Sequence, residues 1–207
     1  MATAVKICGI TRIEDGLAAA HHGAHAIGLV FHRASPRYVT PEQAATISRA
    51  LPPFVTVVGL FVDLPATEVR AILDAVPLQL LQFHGNEDPP YCAAFSRPYI
   101  KAIRMAPEVD LLQCAGFHSA AKGLLLDAYT PAAPGGTGES FEWARVPANL
   151  PLPVVLAGGL TPENVGAAVR AVRPWAVDVS SGVERGKGIK DVNKIAAFIR
   201  GARDADV

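Results

Sequence analysis

A chain of 207 residues, half of them hydrophobic, can bury a core without disulfides or a structural metal, and it is read as a single domain spanning 1–207. Nineteen Lys and Arg balance nineteen Asp and Glu, which removes any electrostatic reason to expect nucleic acid or an anionic membrane as partner. The longest apolar runs, 54–62 and 153–160, fall far short of the roughly 18 residues of a membrane span. The early charges at Lys6, Arg12, Glu14 and Asp15 are unlike a cleaved signal peptide, and the dispersed Cys8, Cys92 and Cys114 read as reduced thiols of a cytoplasmic protein.

The chain then alternates between continuous apolar runs and amphipathic stretches. AVKICGI (4–10) precedes a helical pattern over 12–22, AIGLVF (26–31) one over 41–50, and TVVGLFVD (56–63) one over 66–75. LQLLQFHG (78–85) precedes 88–95, YIKAIRM (99–105) precedes 108–117, and GLLLDAY (123–129) is followed by a short helix after Ser140. PVVLAGGL (153–160) and AVDVSSGV (176–183) precede helices over 161–172 and 191–200. Thr40-Pro41-Glu42 and Thr161-Pro162-Glu163 each set a capping residue before proline and an acid in the first turn.

Continuous rather than alternating hydrophobicity means strands covered on both faces, as in parallel sheets. Eight strand–helix units in 207 residues, about 26 each, predict a compact (β/α)8 TIM barrel of eight parallel strands. An open doubly wound sheet would use fewer strands and a glycine fingerprint after the first, which Cys8-Gly9-Ile10-Thr11 is not.

In such a barrel the chemistry lies at the C-terminal strand ends. Gly158 and Gly159 after the seventh run, with Ser180, Ser181 and Gly182 after the eighth, suit an anion, because glycine lets backbone N–H groups approach closely and hydroxyls add donors. Asp127, after three leucines, is too costly to bury alone unless it is paired or lies at the mouth, where it could serve as a general acid. Cys8 ends the first strand, and Lys6 shares its face two residues earlier, so an ammonium could favour the thiolate; a Lys6–Asp178 salt bridge in the lower barrel is the equal alternative. Ser35-Pro36 stiffens the turn that presents Arg37, whose fork suits a carboxylate. The stretch 133–143, with Gly135, Gly136, Thr137 and Gly138, reads as a lid.

KICGIT, SPRYV, GLFVD, LQFHGNE, LLLDAY, GGTGESFEW, LAGGLTPENV and VDVSSGVE, in this order along nearly the whole chain, resemble the phosphoribosylanthranilate isomerase family of tryptophan biosynthesis. Two departures are visible: Lys187 stands where that family commonly has proline, and Phe83 where it has leucine. The resemblance implies an Amadori rearrangement with Asp127 as general acid, Cys8 as general base, and no metal or organic cofactor. It further implies that Arg37 holds the anthranilate carboxylate, that Gly158, Gly159, Ser180, Ser181 and Gly182 cradle the phosphate, and that His84, Gly136 and Asp178 line the substrate pocket. A small phosphosugar-anthranilate is the expected partner, and a monomer is expected with a homodimer as the alternative. Two other readings compete. A related phosphosugar epimerase or synthase would need metal-binding His and Asp or a lysine acid at a strand end, and a non-catalytic phosphate sensor would need no matched acid and base.

Overall fold

The computed structural model describes residues 2–128 and 142–205. Eight strands form one closed parallel barrel in sequence order: β1 (Ala4–Cys8), β2 (Ala26–Val30), β3 (Thr56–Phe61), β4 (Leu80–Phe83), β5 (Tyr99–Arg104), β6 (Leu124–Asp127), β7 (Val154–Leu156) and β8 (Ala176–Val179). The barrel closes where β1 pairs with β8, Lys6 opposite Asp178. This is the expected TIM barrel.

The helices are α1 (Ile13–His22), α2 (Pro41–Ala50), α3 (Ala66–Ala75), α4 (Pro89–Ala93), α5 (Leu111–Phe117), α6 (Val165–Val172) and α7 (Val192–Asp204). The caps explain where several begin. Thr40 and Gln43 exchange side-chain and backbone hydrogen bonds at the start of α2. Asp88, Asp110 and Asp191 accept from the first-turn N–H groups of α4, α5 and α7. The segment from Thr161 starts with a turn rather than regular helix: the Thr161 N–H donates to Asn164 Oδ1 at 2.8 Å, and α6 runs from Val165. In place of a helix after the sixth strand, the described residues give a 3₁₀ turn at Trp143–Arg145. An antiparallel hairpin, β9 (Glu184–Gly186) with β10 (Ile189–Lys190), stands between β8 and α7 and has no counterpart in the sequence reading.

Strand parity divides the core. Val5, Ile7, Ile27, Leu29, Phe61, Leu81, Phe83, Val177 and Val179 pack outward against the helices in one buried cluster. Ala4, Leu80, Ile100, Ala102, Leu125, Val155, Ala157 and Ala176 pack together as the barrel interior. Continuing that inward parity along each strand leads to Lys6 and Cys8, Gln82 and His84, Arg104, Asp127, and Asp178 and Ser180. The interior is thus apolar at its floor and polar toward the C-terminal ends of the strands.

Phe83 belongs to the outer layer. It is fully buried, with its ring centroid 6.0 Å from that of Phe61, 5.7 Å from Tyr91 and Phe95, and 5.8 Å from Tyr99. The departure from leucine therefore completes an aromatic cluster between barrel and α4 and leaves the site untouched. Phe83→Ala should cost about 3–5 kcal/mol of stability and Phe83→Leu about 1 kcal/mol in urea unfolding, with turnover by the folded protein unchanged.

Candidate active site

Cys8 and Lys6 project from β1 into the barrel over Gly28 of β2, which stands opposite Cys8 in register. A Cβ on Gly28 would lie 2.7 Å from Cys8 Sγ and 3.2 Å from Lys6 Cε, so this glycine makes the space both side chains use. Lys6 Nζ forms a 2.9 Å ion pair with Asp178 Oδ1, both side chains being buried. Burial by itself would lower the Lys6 pKa, but Asp178 and then Cys8 outweigh it and hold the ammonium above its ordinary value. For Cys8 the balance goes the other way. Burial pushes the thiol up, and Lys6, acting against it, does not bring it back to the ordinary range. The expected thiolate-favouring effect of Lys6 is therefore present and outweighed, while Asp178 is joined to Lys6 as the alternative had it.

Across the barrel, Asp127 closes β6 as a buried carboxylate. Its Oδ1 accepts from the Ala128 N–H at 2.9 Å, and its Oδ2 lies 3.1 Å from His84 Nε2. His84 Nδ1 is in turn 2.9 Å from the Gln82 amide nitrogen, and Gln82 Oε1 is buried without a partner among the described residues. Two proton arrangements fit this chain. In one, Gln82 donates to Nδ1 and the Nε2–H donates to the carboxylate. In the other, with the amide turned over, Oε1 accepts from Nδ1–H and Nε2 accepts from a protonated Asp127. The first leaves the Gln82 amide oxygen without a partner among the described residues, and the second leaves the amide NH2 there in its place.

Arg37 lies where its turn was expected to put it, with its N–H donating to Ser35 Oγ at 3.1 Å. Its guanidinium is engaged from one edge: Nε and Nη2 donate to Glu184 Oε1 and Oε2 at 2.8 and 2.9 Å. Gly9 serves Arg37 directly. It has φ +72°, and a Cβ there would lie 2.5 Å from Arg37 Cδ and 3.0 Å from Ser180 Oγ.

The loops after β7 and β8 meet at Gly182, where a Cβ would collide with the Leu160 carbonyl. Gly158 and Gly159 both adopt positive φ, 79° and 64°. Asn164 holds the Gly159 carbonyl at 2.9 Å, and Lys190 holds the Ser180 carbonyl at 3.0 Å. One carbonyl in each of the two loops is thereby held by a side chain. Gly136 and the rest of the expected lid at 133–141 lie outside the described residues. Among the described residues, no group of three or more His, Cys, Asp and Glu is placed to hold a metal ion.

Residues 5–201 match the family model described as N-(5'phosphoribosyl)anthranilate (PRA) isomerase. The chain belongs to this isomerase family. An N-(5'-phosphoribosyl)anthranilate isomerase of Alcanivorax borkumensis is 59% identical over 98% of this chain and 96% of its own length, and one of Thiobacillus denitrificans is 59% identical over 98% and 99%. The crystal structure of phosphoribosyl anthranilate isomerase from Thermotoga maritima superposes with a TM-score of 0.90 at 40% identity, covering 98% of this chain and 99% of that one. Membership of the isomerase family bears out the expected enzyme class and its place in tryptophan biosynthesis.

Within this isomerase barrel the structure brings Cys8, Asp127, His84, Arg37, Asp178 and the two glycine–serine loops to the C-terminal strand ends. Arg33, the other arginine of the β2 loop, is exposed 3.8 Å from Glu68 and takes no part in the Glu184 contact. Sequence reasoning missed Gln82, Glu184 and Lys190. Gln82 could have been found from strand parity with His84, whereas the other two depend on a hairpin that lacks a periodic signal. Lys6→Met should raise the pH midpoint for alkylation of Cys8 by iodoacetamide, followed by mass spectrometry, because it removes the cation that opposes burial and leaves Asp178 unpaired beside the thiol. The same substitution should destabilise the fold by about 3–5 kcal/mol.

Proposed function

We propose that this chain isomerises N-(5'-phosphoribosyl)anthranilate to 1-(2-carboxyphenylamino)-1-deoxyribulose 5-phosphate by general acid–base catalysis. Asp127 as the carboxylic acid donates its proton to the furanose ring oxygen. The bond from that oxygen to C1 breaks as the anilino nitrogen lone pair forms a cationic C1=N bond. Cys8 as the thiolate then takes the proton from C2, the released electron pair forms C1=C2, and the C1=N pair returns to nitrogen. The resulting enolamine tautomerises to the 2-keto product. The observation that carries this reading is the approach of Cys8 from β1 and Asp127 from β6 into one barrel mouth, three strands apart round the sheet, with a histidine bonded to the acid and a lysine beside the thiol.

Arg37 would hold the anthranilate carboxylate, and Gly158, Gly159, Ser180, Ser181 and Gly182 the phosphate, with His84, Asp178 and Gly136 lining the space between. A related isomerase, 38% identical with a TM-score of 0.87, has been solved in complex with reduced 1-(o-carboxyphenylamino)-1-deoxyribulose 5-phosphate, a ligand with those two anionic ends. The closed eight-stranded barrel, with Cys8 and Asp127 on two of its own strands, supports a single barrel as the catalytic unit. The Thermotoga maritima relative is described as dimeric, so association of two complete barrels is compatible with this reading. Free Cys8, Cys92 and Cys114 support a cytoplasmic location, and among the described residues no helix is long and apolar enough to cross a membrane.

Purified protein supplied with phosphoribosylanthranilate generated in situ should consume it; failure to do so would sink the proposal. Cys8→Ala and Asp127→Asn should each reduce turnover by about 100-fold or more with unchanged circular dichroism. Near-normal turnover by Cys8→Ala would remove Cys8 as the base while leaving the family intact. Arg37→Ala should chiefly raise KM, with a smaller effect on kcat.

A further inference from the structure

The β9–β10 hairpin carries two buried charged side chains that take no part in the acid–base scheme. Lys190 has a side chain with no solvent exposure, and that of Glu184 is 7% exposed. Glu184 receives the Nε/Nη2 edge of Arg37 on its two oxygens, and its Oε1 also accepts from Lys190 Nζ at 3.0 Å and from the Gly188 N–H at 3.3 Å. Lys190 Nζ reaches on to the Ser180 carbonyl at 3.0 Å. Its backbone N–H donates to Asp15 Oδ2, and Asp15 is paired with Arg12. The hairpin turn rests on the Arg37 loop: Gly188, at φ +75°, would place a Cβ 3.2 Å from the Pro36 carbonyl, and the Thr11 hydroxyl donates to the Gly188 carbonyl.

A guanidinium has two edges that can take a carboxylate, one from Nε with a terminal nitrogen and one from its two terminal nitrogens. Glu184 occupies the first, so only the terminal edge is left for a second carboxylate. Two cations around one carboxylate also leave a net positive charge, which suits an anionic ligand despite the neutral balance of the chain.

We propose that Glu184 and Lys190 are positioning residues: Glu184 fixes Arg37 so that its terminal edge takes the substrate carboxylate end-on, and Lys190 ties this clamp to the Ser180 loop that takes the phosphate. The two anion anchors are then one bonded unit, Arg37–Glu184–Lys190–Ser180, that sets their separation. This inference rests on the assignment of Arg37 to the carboxylate in the proposed function.

The test is a double-mutant cycle on the full chain, with circular dichroism and thermal unfolding recording that each variant is folded. Glu184→Gln should raise KM about ten-fold, the loss of one charge-assisted hydrogen bond, with kcat changing less than about three-fold. It should add less than about two-fold to KM in the Arg37→Ala background, and Glu184→Asp, which restores the charge, should recover part of the loss. Lys190→Met should weaken competitive inhibition by both anthranilate and inorganic phosphate, whereas Arg37→Ala should weaken that by anthranilate alone. Independent, additive effects of the Arg37 and Glu184 substitutions, or a Glu184→Gln defect confined to kcat, would overturn the inference. If Arg37→Ala itself leaves KM unchanged, the carboxylate assignment fails; if Arg37→Ala raises KM and Glu184→Gln does not, only the positioning role fails.

Discussion

Closure of the sheet between its first and last strands is the constraint on which the rest of the molecule depends. Lys6 and Asp178, 172 positions apart, face each other across that seam and are joined by a buried ion pair. A buried pair of this kind gains little net stability over apolar residues, but either partner alone would be strongly unfavourable, so the contact penalises any other register of β1 on β8. Because inward side chains recur every second residue, this register also levels the groups above it. Cys8 stands two residues beyond Lys6, and Ser180 two beyond Asp178, so the thiol and the Ser180 loop are set at one height by the same pairing.

The same arithmetic governs the charges. Each deeply buried lysine has a carboxylate: Lys6 has Asp178, Lys101 has Glu87, and Lys190 has Glu184. Lys101 points away from the barrel interior and spends its remaining donors on the carbonyls of Phe83, Gly85 and Ala102, which makes it a clasp for the β4 loop. Burial raises the Cys8 thiol and depresses the Lys190 ammonium, whereas Arg37 and Lys190 together overcome burial and hold Glu184 below the ordinary carboxylate range. The Arg37–Glu184–Lys190 cluster thus places two cations around one carboxylate at the mouth of a barrel whose chain is neutral overall.

Much of this could be read along the chain because each βα unit reports on itself. Continuous apolar runs mark strands covered on both faces, Thr40 and Asp191 mark helix starts, and the polar residues that end the runs mark the mouth. The errors fall where local signals are weak or competing. α6 begins at Val165 rather than Thr161 because the Thr161 and Asn164 side chains satisfy the first turn in a tighter form. The hairpin at 184–190 was invisible because strands of three and two residues are too short to show a period. Gly9 makes room for the stem of Arg37, a contact between loops that spacing along the chain does not show.

Composition, run spacing and the ordered motifs were sufficient for the eight-stranded barrel, the family and the groups at the strand ends, since each depends on residues close together in sequence. Pairing across the closed sheet was not, because a residue's partner there is set by register and not by spacing. Only the folded barrel showed that Lys6 holds Asp178 and does not free the Cys8 thiol from the effect of burial, that Gln82 and His84 form a chain to Asp127, and that Arg37 is gripped by Glu184. Those contacts span from 43 to 172 residues wherever they join different strands or loops, and local chemistry carries no record of them.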